Sequence, residues 1–410
     1  MKLTPPLLVS LLLPALAFAA APKAEIPINY DEAKVPAYTL PDPLVAADGT
    51  PVRDVAAWRK RRGELLELFS REVYGRTPAG RPAGMHWETT SVDRAALGGK
   101  AVRKEITVWF TARKDGPKMH LLVYQPPGAA ADHRPWPAFL GYNYYGNQCV
   151  NADPGITLSR AWMRSNAEFK VVDSRATEGT RGVHASRWNV ETVVARGYAT
   201  ATVYYGDLCE DRAEGLARDV GALFKTGAVE ERAADAWGSI GIWAWGLSRA
   251  LDVLAADPEL DASRVAVHGH SRLGKTALRI GATDERYKVI FSSCSGEMGA
   301  ALARRDYGES VDDMAANFPW QFAGNFQKYA GRWKAMPVDS HLLIALAALV
   351  PALMFANARR GTPSKEITYR ELLEEARAGR IKDGVMRRIE GSGSFEVMGR
   401  LVDVEAGKTN

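Results

Sequence analysis

Short apolar runs alternate with longer mixed stretches along most of this chain. Ile106–Phe110, Leu121–Tyr124, Pro137–Leu140 and Ala199–Tyr205 are β-branched, aromatic or apolar and predict strands, and Val265–Val267 and Val289–Ser292 predict later ones. Between them lies a helix over Trp237–Ala256, where Ile240, Trp243, Leu247, Leu251 and Leu254 recur at helical spacing. Its aromatic residues are accounted for by a buried stripe. An earlier helix carries Leu65, Leu66, Leu68 and Phe69, and an extended Pro-rich arm from Ala21 to Pro51 precedes it. Strands alternating with helices imply a mostly parallel sheet covered on both faces.

The run Arg264–Val267 leads into His268-Gly-His-Ser-Arg-Leu-Gly-Lys275 and then the helix-forming Thr276-Ala-Leu278. That is strand, sharp turn, helix. Gly269 lets the chain turn tightly, and Ser271 would stand at the C-terminal end of the strand beside the positive end of the next helix. The pattern is Gly-x-Ser with the second glycine one place late and Arg272 directly after the serine. A bare Gly-x-Ser usually marks only a turn.

The longer string from Gly269 to Leu278 resembles the glucuronoyl esterases, carbohydrate esterase family fifteen. Asn29–Pro36, Tyr38–Pro43, Val73–Gly75, Phe139–Asn143 with Gly146-Asn147, Ser186–Trp188, Arg196–Tyr198, Tyr204–Asp207, Gly308-Glu309 and Pro337–Leu346 fit in the same order. The resemblance spans about residues 28–347. It implies an α/β-hydrolase fold and a serine carboxylic ester hydrolase cleaving esters of (4-O-methyl-)glucuronic acid on xylan, as in lignin-carbohydrate linkages, with no cofactor and no metal. By the same resemblance Ser271 is the nucleophile and Arg272 stabilises the oxyanion. Lys275 and Glu309 bind the sugar, and Asn143 and Asn147 are candidates for the oxyanion loop.

The resemblance also exposes gaps. The family acid falls at Cys294, before Ser295-Gly296; Glu297 is the nearby candidate substitute, and no Asp-x-Trp follows Ser271. The family base lies near the C-terminus, whereas the seven histidines here end at His341 and the eleven tryptophans end before residue 334. Two readings follow: a glucuronoyl-type esterase, or an impaired remnant that at most binds uronic sugars. A peptidase on the same scaffold is disfavoured by Arg272 and Lys275.

Composition narrows the class. The 410 residues carry a net charge of +5 with Lys and Arg dispersed, which disfavours nucleic acid as a partner. Met1-Lys2, the apolar segment Leu7–Phe18 and Ala17-Phe-Ala19 read as a signal peptide cleaved near Ala19, hence a secreted or periplasmic protein. Residues 342–356 are all apolar or proline, but this run is short of the ~20 residues that span a bilayer, so no stable membrane anchor is expected. The expected organisation is a signal over 1–19, the hydrolase domain over 20–347 and a divergent charged tail over 348–410 that departs from the fold. Export permits disulfides. Of three cysteines, Cys149 and Cys209 fall in loops on one sheet edge, compatible with a bridge, and Cys294 is left over.

Overall fold

The computed structural model describes residues 25–128 and 135–347 in full, together with Glu374 and the backbone of strands 381–389 and 394–401. The expected signal peptide lies outside the described residues. Chain contacts separate one unit reaching Leu353 from a second beginning at Met354.

In the first unit seven strands form one mixed sheet: β1 (His86–Ala95), β2 (Ala101–Trp109), β3 (Lys118–Gln125), β4 (Trp136–Asn143), β5 (Ala199–Tyr204), β6 (Leu260–His270) and β7 (Val289–Ser293), in the spatial order 1-2-3-5-4-6-7. The β5-β4-β6-β7 half is parallel, and β1, β2, β3 and β5 pair antiparallel. The predicted strands all form. β1 was not legible, because it is an edge strand with a mostly polar, mostly exposed sequence that pairs only with β2.

Three helices matter for the site: α1 (Val55–Phe69), α2 (Ser239–Leu254) and α3 (Arg272–Thr283). Asp54 caps α1 by accepting from the Ala57 amide. α2 is buried nearly all round, and Trp237, Trp243 and Trp245 belong to the main apolar core, as the helical spacing predicts. Alternation along β3 shows that both sheet faces are covered. Leu121 and Val123 join the large core, whereas Leu122 and Tyr124 join a smaller cluster with Cys149, Val190 and Val194.

The cysteines depart from expectation. Cys149 and Cys209 are both buried and both free, and Cys294 is exposed and free. Cys149 packs in the smaller cluster and Cys209 in the larger one, so the two loops carry their thiols into different apolar environments rather than toward each other.

The second unit contains an antiparallel pair, β8 (Ile381–Ile389) with β9 (Ser394–Leu401), in the stretch read from sequence as a charged tail. Among the described residues no helix is long and apolar enough to cross a membrane.

Candidate active site

The parallel strands end on one edge of the sheet, and the turn from β6 into α3 lies there. Ser271 occupies it with φ 54° and ψ −130°, a conformation that a non-glycine residue adopts only where the surroundings impose it. The surroundings are visible. A Cβ on Gly269 would sit 2.0 Å from the Leu273 carbonyl oxygen, and one on Gly274 would sit 2.9 Å from that of Ser293. Only glycines let helix and strand approach this closely. The Ser271 amide donates to the Ser293 carbonyl at 2.9 Å, tying the elbow to the end of β7. Ser271 is half-exposed. Position and conformation are those of a nucleophile elbow.

Arg272 turns back across the sheet edge. Its guanidinium lies over the rings of Tyr144 at 5.1 Å and Tyr205 at 5.7 Å, and its Nε stands 2.8 Å from Asp211 Oδ2. Asp211 is buried and also accepts from Trp320 Nε1 and Gln321 Nε2, each at 2.8 Å. A planar cation held between two aromatic faces and one carboxylate is fixed in direction. The Tyr144 hydroxyl donates to the His270 carbonyl at 2.5 Å and also meets the Ser271 hydroxyl; burial raises its pKa, so it stays a neutral phenol. Tyr144, Tyr205 and Asp211 carried no role in the sequence reading. They come from the loops after β4 and β5, and only strand order brings them to Arg272.

Lys275 lies one turn further along α3. It is buried, and its Nζ donates to Glu309 Oε2 at 2.9 Å. The same oxygen accepts from the Glu297 amide at 3.0 Å. The two residues assigned to the sugar are therefore brought together as one ion pair beside the elbow. Glu309 remains partly exposed, so one carboxylate face is open to a hydroxyl-bearing ligand.

Asn143 and Asn147 brace the loop after β4 from within. Asn143 Nδ2 donates to Asn147 Oδ1 at 2.7 Å and to Thr202 Oγ1 at 3.1 Å, and Asn147 Nδ2 donates to the His120 carbonyl at 2.8 Å. Both are buried, so they shape the loop through these bonds.

Glu297, the candidate acid, bonds to no imidazole among the described residues. It is fully enclosed between Asp339 and the Lys275–Glu309 pair, and burial, then the nearby Asp339 carboxylate, pushes its carboxyl well above the usual range. A buried carboxyl whose charged form is disfavoured, with no imidazole partner among the described residues, is poorly suited to stabilise an imidazolium. Glu297→Gln is accordingly expected to retain the activity and thermal midpoint of the parent, since burial already disfavours the charged form and the amide keeps the shape. A loss of activity exceeding about a hundredfold in a well-folded variant would restore the catalytic-acid assignment.

Among the described residues no imidazole bonds to Ser271. His341 Nε2 faces the Pro41 carbonyl at 2.7 Å, and His120 pairs with Asp207. His268 packs on Trp188, with burial lowering its pKa to about 4. His270 points to Ser293 Oγ at 3.4 Å, diverging from its neighbour as residues on a tight turn do. No group of three or more His, Cys, Asp or Glu among the described residues is arranged to hold a metal ion.

Known proteins resemble this chain. A carbohydrate esterase, MZ0003, from an unknown prokaryotic organism is 42% identical over 329 residues, covering 80% of this chain and 74% of the relative. The chain belongs to the glucuronoyl esterase family. A family model described as glucuronyl esterase, fungi, matches residues 183–369, continuing past Ala347, where the recognisable motifs stop. The solved glucuronoyl esterase from Solibacter usitatus superposes with a TM-score of 0.71 at 45% identity, over 77% of this chain and 79% of that one. A family-fifteen esterase from a marine bacterial metagenome gives a TM-score of 0.71 at 41% identity, over 78% and 79%. The α/β-hydrolase fold expected from the sequence is the fold of these glucuronoyl esterases.

Proposed function

We propose that this glucuronoyl esterase family member is an exported serine hydrolase of glucuronate esters, acting on the ester between a (4-O-methyl-)glucuronic acid branch of xylan and an alcohol, as found in lignin-carbohydrate linkages. The observation that carries this reading is the sequence of groups along one turn of α3: Ser271 in the elbow, Arg272 clamped beside it, and Lys275 paired with Glu309. Uronate hydroxyls bridging Lys275 and Glu309 would bring the C6 carbonyl to Ser271. The Ser271 oxygen bonds to that carbon, and negative charge develops on the carbonyl oxygen toward the Arg272 guanidinium. The alcohol leaves with a proton, and water then breaks the acyl bond and releases the uronate. The impaired remnant is the less favoured reading, given identity of this level to esterases.

The reading is tested by comparing a benzyl glucuronate ester with an acetate ester. The parent is expected to favour the uronate ester, and Lys275→Met to lose that preference while keeping acetate turnover. Equal use of both esters by parent and variant would sink the uronate assignment.

The proton balance gives a further prediction. Among the described residues no imidazole reaches the Ser271 hydroxyl, and in such a site hydroxide takes the proton. The logarithm of kcat/KM is then expected to rise by about one for each pH unit through neutrality, with no plateau. A plateau with a midpoint near the ordinary imidazole value of ~6.5 would show that a histidine takes the proton.

A further inference from the structure

A large cavity among the described residues lies away from the elbow. It encloses about 1080 Å³ and is lined by none of Ser271, Arg272, Lys275 and Glu309. It lies along the same sheet edge, over β2, β3 and β5, walled by residues 157–162 and by the segment after β5. It is coupled to the site by adjacent residues. Tyr204 lines it while Tyr205 touches Arg272, and Glu210 lines it while Asp211 pairs with Arg272.

Its lining mixes both signs of charge. Lys118, Arg160 and Arg175 have no carboxylate partner among the described residues, and the Arg175 guanidinium donates to the Ser174 carbonyl. Opposite in sign are Asp207, held by His120 at 3.0 Å, Glu210, held by Arg212 at 2.5 Å, and Asp219. Asp219 stands at φ 42°, a left-handed conformation uncommon for a non-glycine residue, with no hydrogen bond to its carboxylate among the described residues. Trp162 adds an indole to the wall, with the Arg212 guanidinium stacked on it at 4.5 Å.

These groups select a ligand class. An anion would meet five carboxylates, Glu105 and Asp115 among them, and a cation would meet three unpaired cations. A neutral ligand rich in hydroxyls satisfies both sets, because every hydroxyl donates and accepts. Its apolar C–H faces would suit the wall formed by Ile106, Leu121, Leu158 and Trp162. The volume is at the upper end of the ~300–1,000 Å³ of small-molecule pockets, which is room for several sugar rings.

We propose that this cavity is a second saccharide site, which holds the neutral pentose chain carrying the esterified uronate. The choice of sugar rests on the glucuronate-ester reading above; the cavity and its mixed lining do not. Holding the chain beside the elbow raises the effective concentration of its ester branches, so polymeric substrates gain and small esters do not.

The test is calorimetric binding of xylotetraose, which lacks the uronate, and of glucuronate, which lacks the chain. The parent is expected to bind both, each without displacing the other. The double variant Asp219→Gly/Arg160→Ala removes a carboxylate and a cation from the wall. Glycine suits the positive φ and Arg160 is exposed, so folding is preserved, and unchanged glucuronate binding verifies it. That variant should bind xylotetraose about tenfold more weakly or worse, whereas Lys275→Met should lose glucuronate and keep xylotetraose. Failure of the parent to bind xylotetraose overturns the proposal. So does xylotetraose binding that is lost with Lys275→Met and kept in the double variant. Xylotetraose binding at the cavity without any glucuronate binding supports the second site and sinks the uronate reading.

Discussion

Ser271→Ala is expected to lower hydrolysis of a glucuronate ester by about a thousandfold or more, to the background of the buffer, with the fold intact. The hydroxyl is half-exposed at the turn, and its contact with Tyr144 is replaceable by water, so stability has little reason to change. A companion variant separates function from strain. Ser271 holds φ 54°, where an L side chain is disfavoured and glycine is not. Ser271→Gly should therefore be as inactive as the alanine variant yet more stable, by about 1 kcal/mol. The measurements are initial rates on the ester and thermal midpoints of the three proteins. Turnover that survives in both variants would remove Ser271 from the reaction. A glycine variant less stable than the parent would mean that the elbow is not strained.

The second large effect concerns Arg272. Arg272→Ala should lower kcat/KM by about 10²–10³, the usual consequence of removing a fixed donor from a developing oxyanion. It should also destabilise the protein, because Asp211 is left buried without its cation, an arrangement that costs about 3 kcal/mol or more. Both losses from one substitution would not separate a catalytic role from a structural one. The pair Arg272→Met/Asp211→Asn does so. It removes both charges, while an amide at 211 can still accept from Trp320 and Gln321, so stability should return toward that of the parent. Activity should remain low. Recovery of activity together with stability would show that Arg272 serves only to tie the elbow to Asp211.

Local patterns explain which features could be foreseen. The elbow was legible because its grammar is short-range. Gly269 and Gly274 are needed for contacts within a few residues or with the adjacent strand, and the helix-forming run follows directly. α2 was legible because its apolar positions recur at 3.6 residues per turn whatever the partner. β1 was not legible, since an exposed edge strand has no buried face to impose alternation. Lys275 and Glu309 were each named through family resemblance, but not their pairing; a separation of 34 positions offers no local signal of contact. Loops on one edge were compatible with a Cys149–Cys209 bridge, which does not form because a common edge does not fix the direction of a side chain.

The sequence by itself determined the class of the molecule. Strand-helix alternation, the elbow string and the ordered motifs around it are sufficient for a hydrolase fold with Ser271 at the turn, because each depends on residues close in the chain. What only the tertiary structure decided are the groups that act across the sheet edge. Tyr144, Tyr205 and Asp211 reach Arg272 because β5 and β4 pair beside β6. Burial, and then the Asp339 carboxylate, disfavour the charged form of Glu297, and free donors and acceptors converge on one cavity beside the elbow. Burial and the field of distant neighbours set these roles, and neither quantity exists until the strands have taken their order.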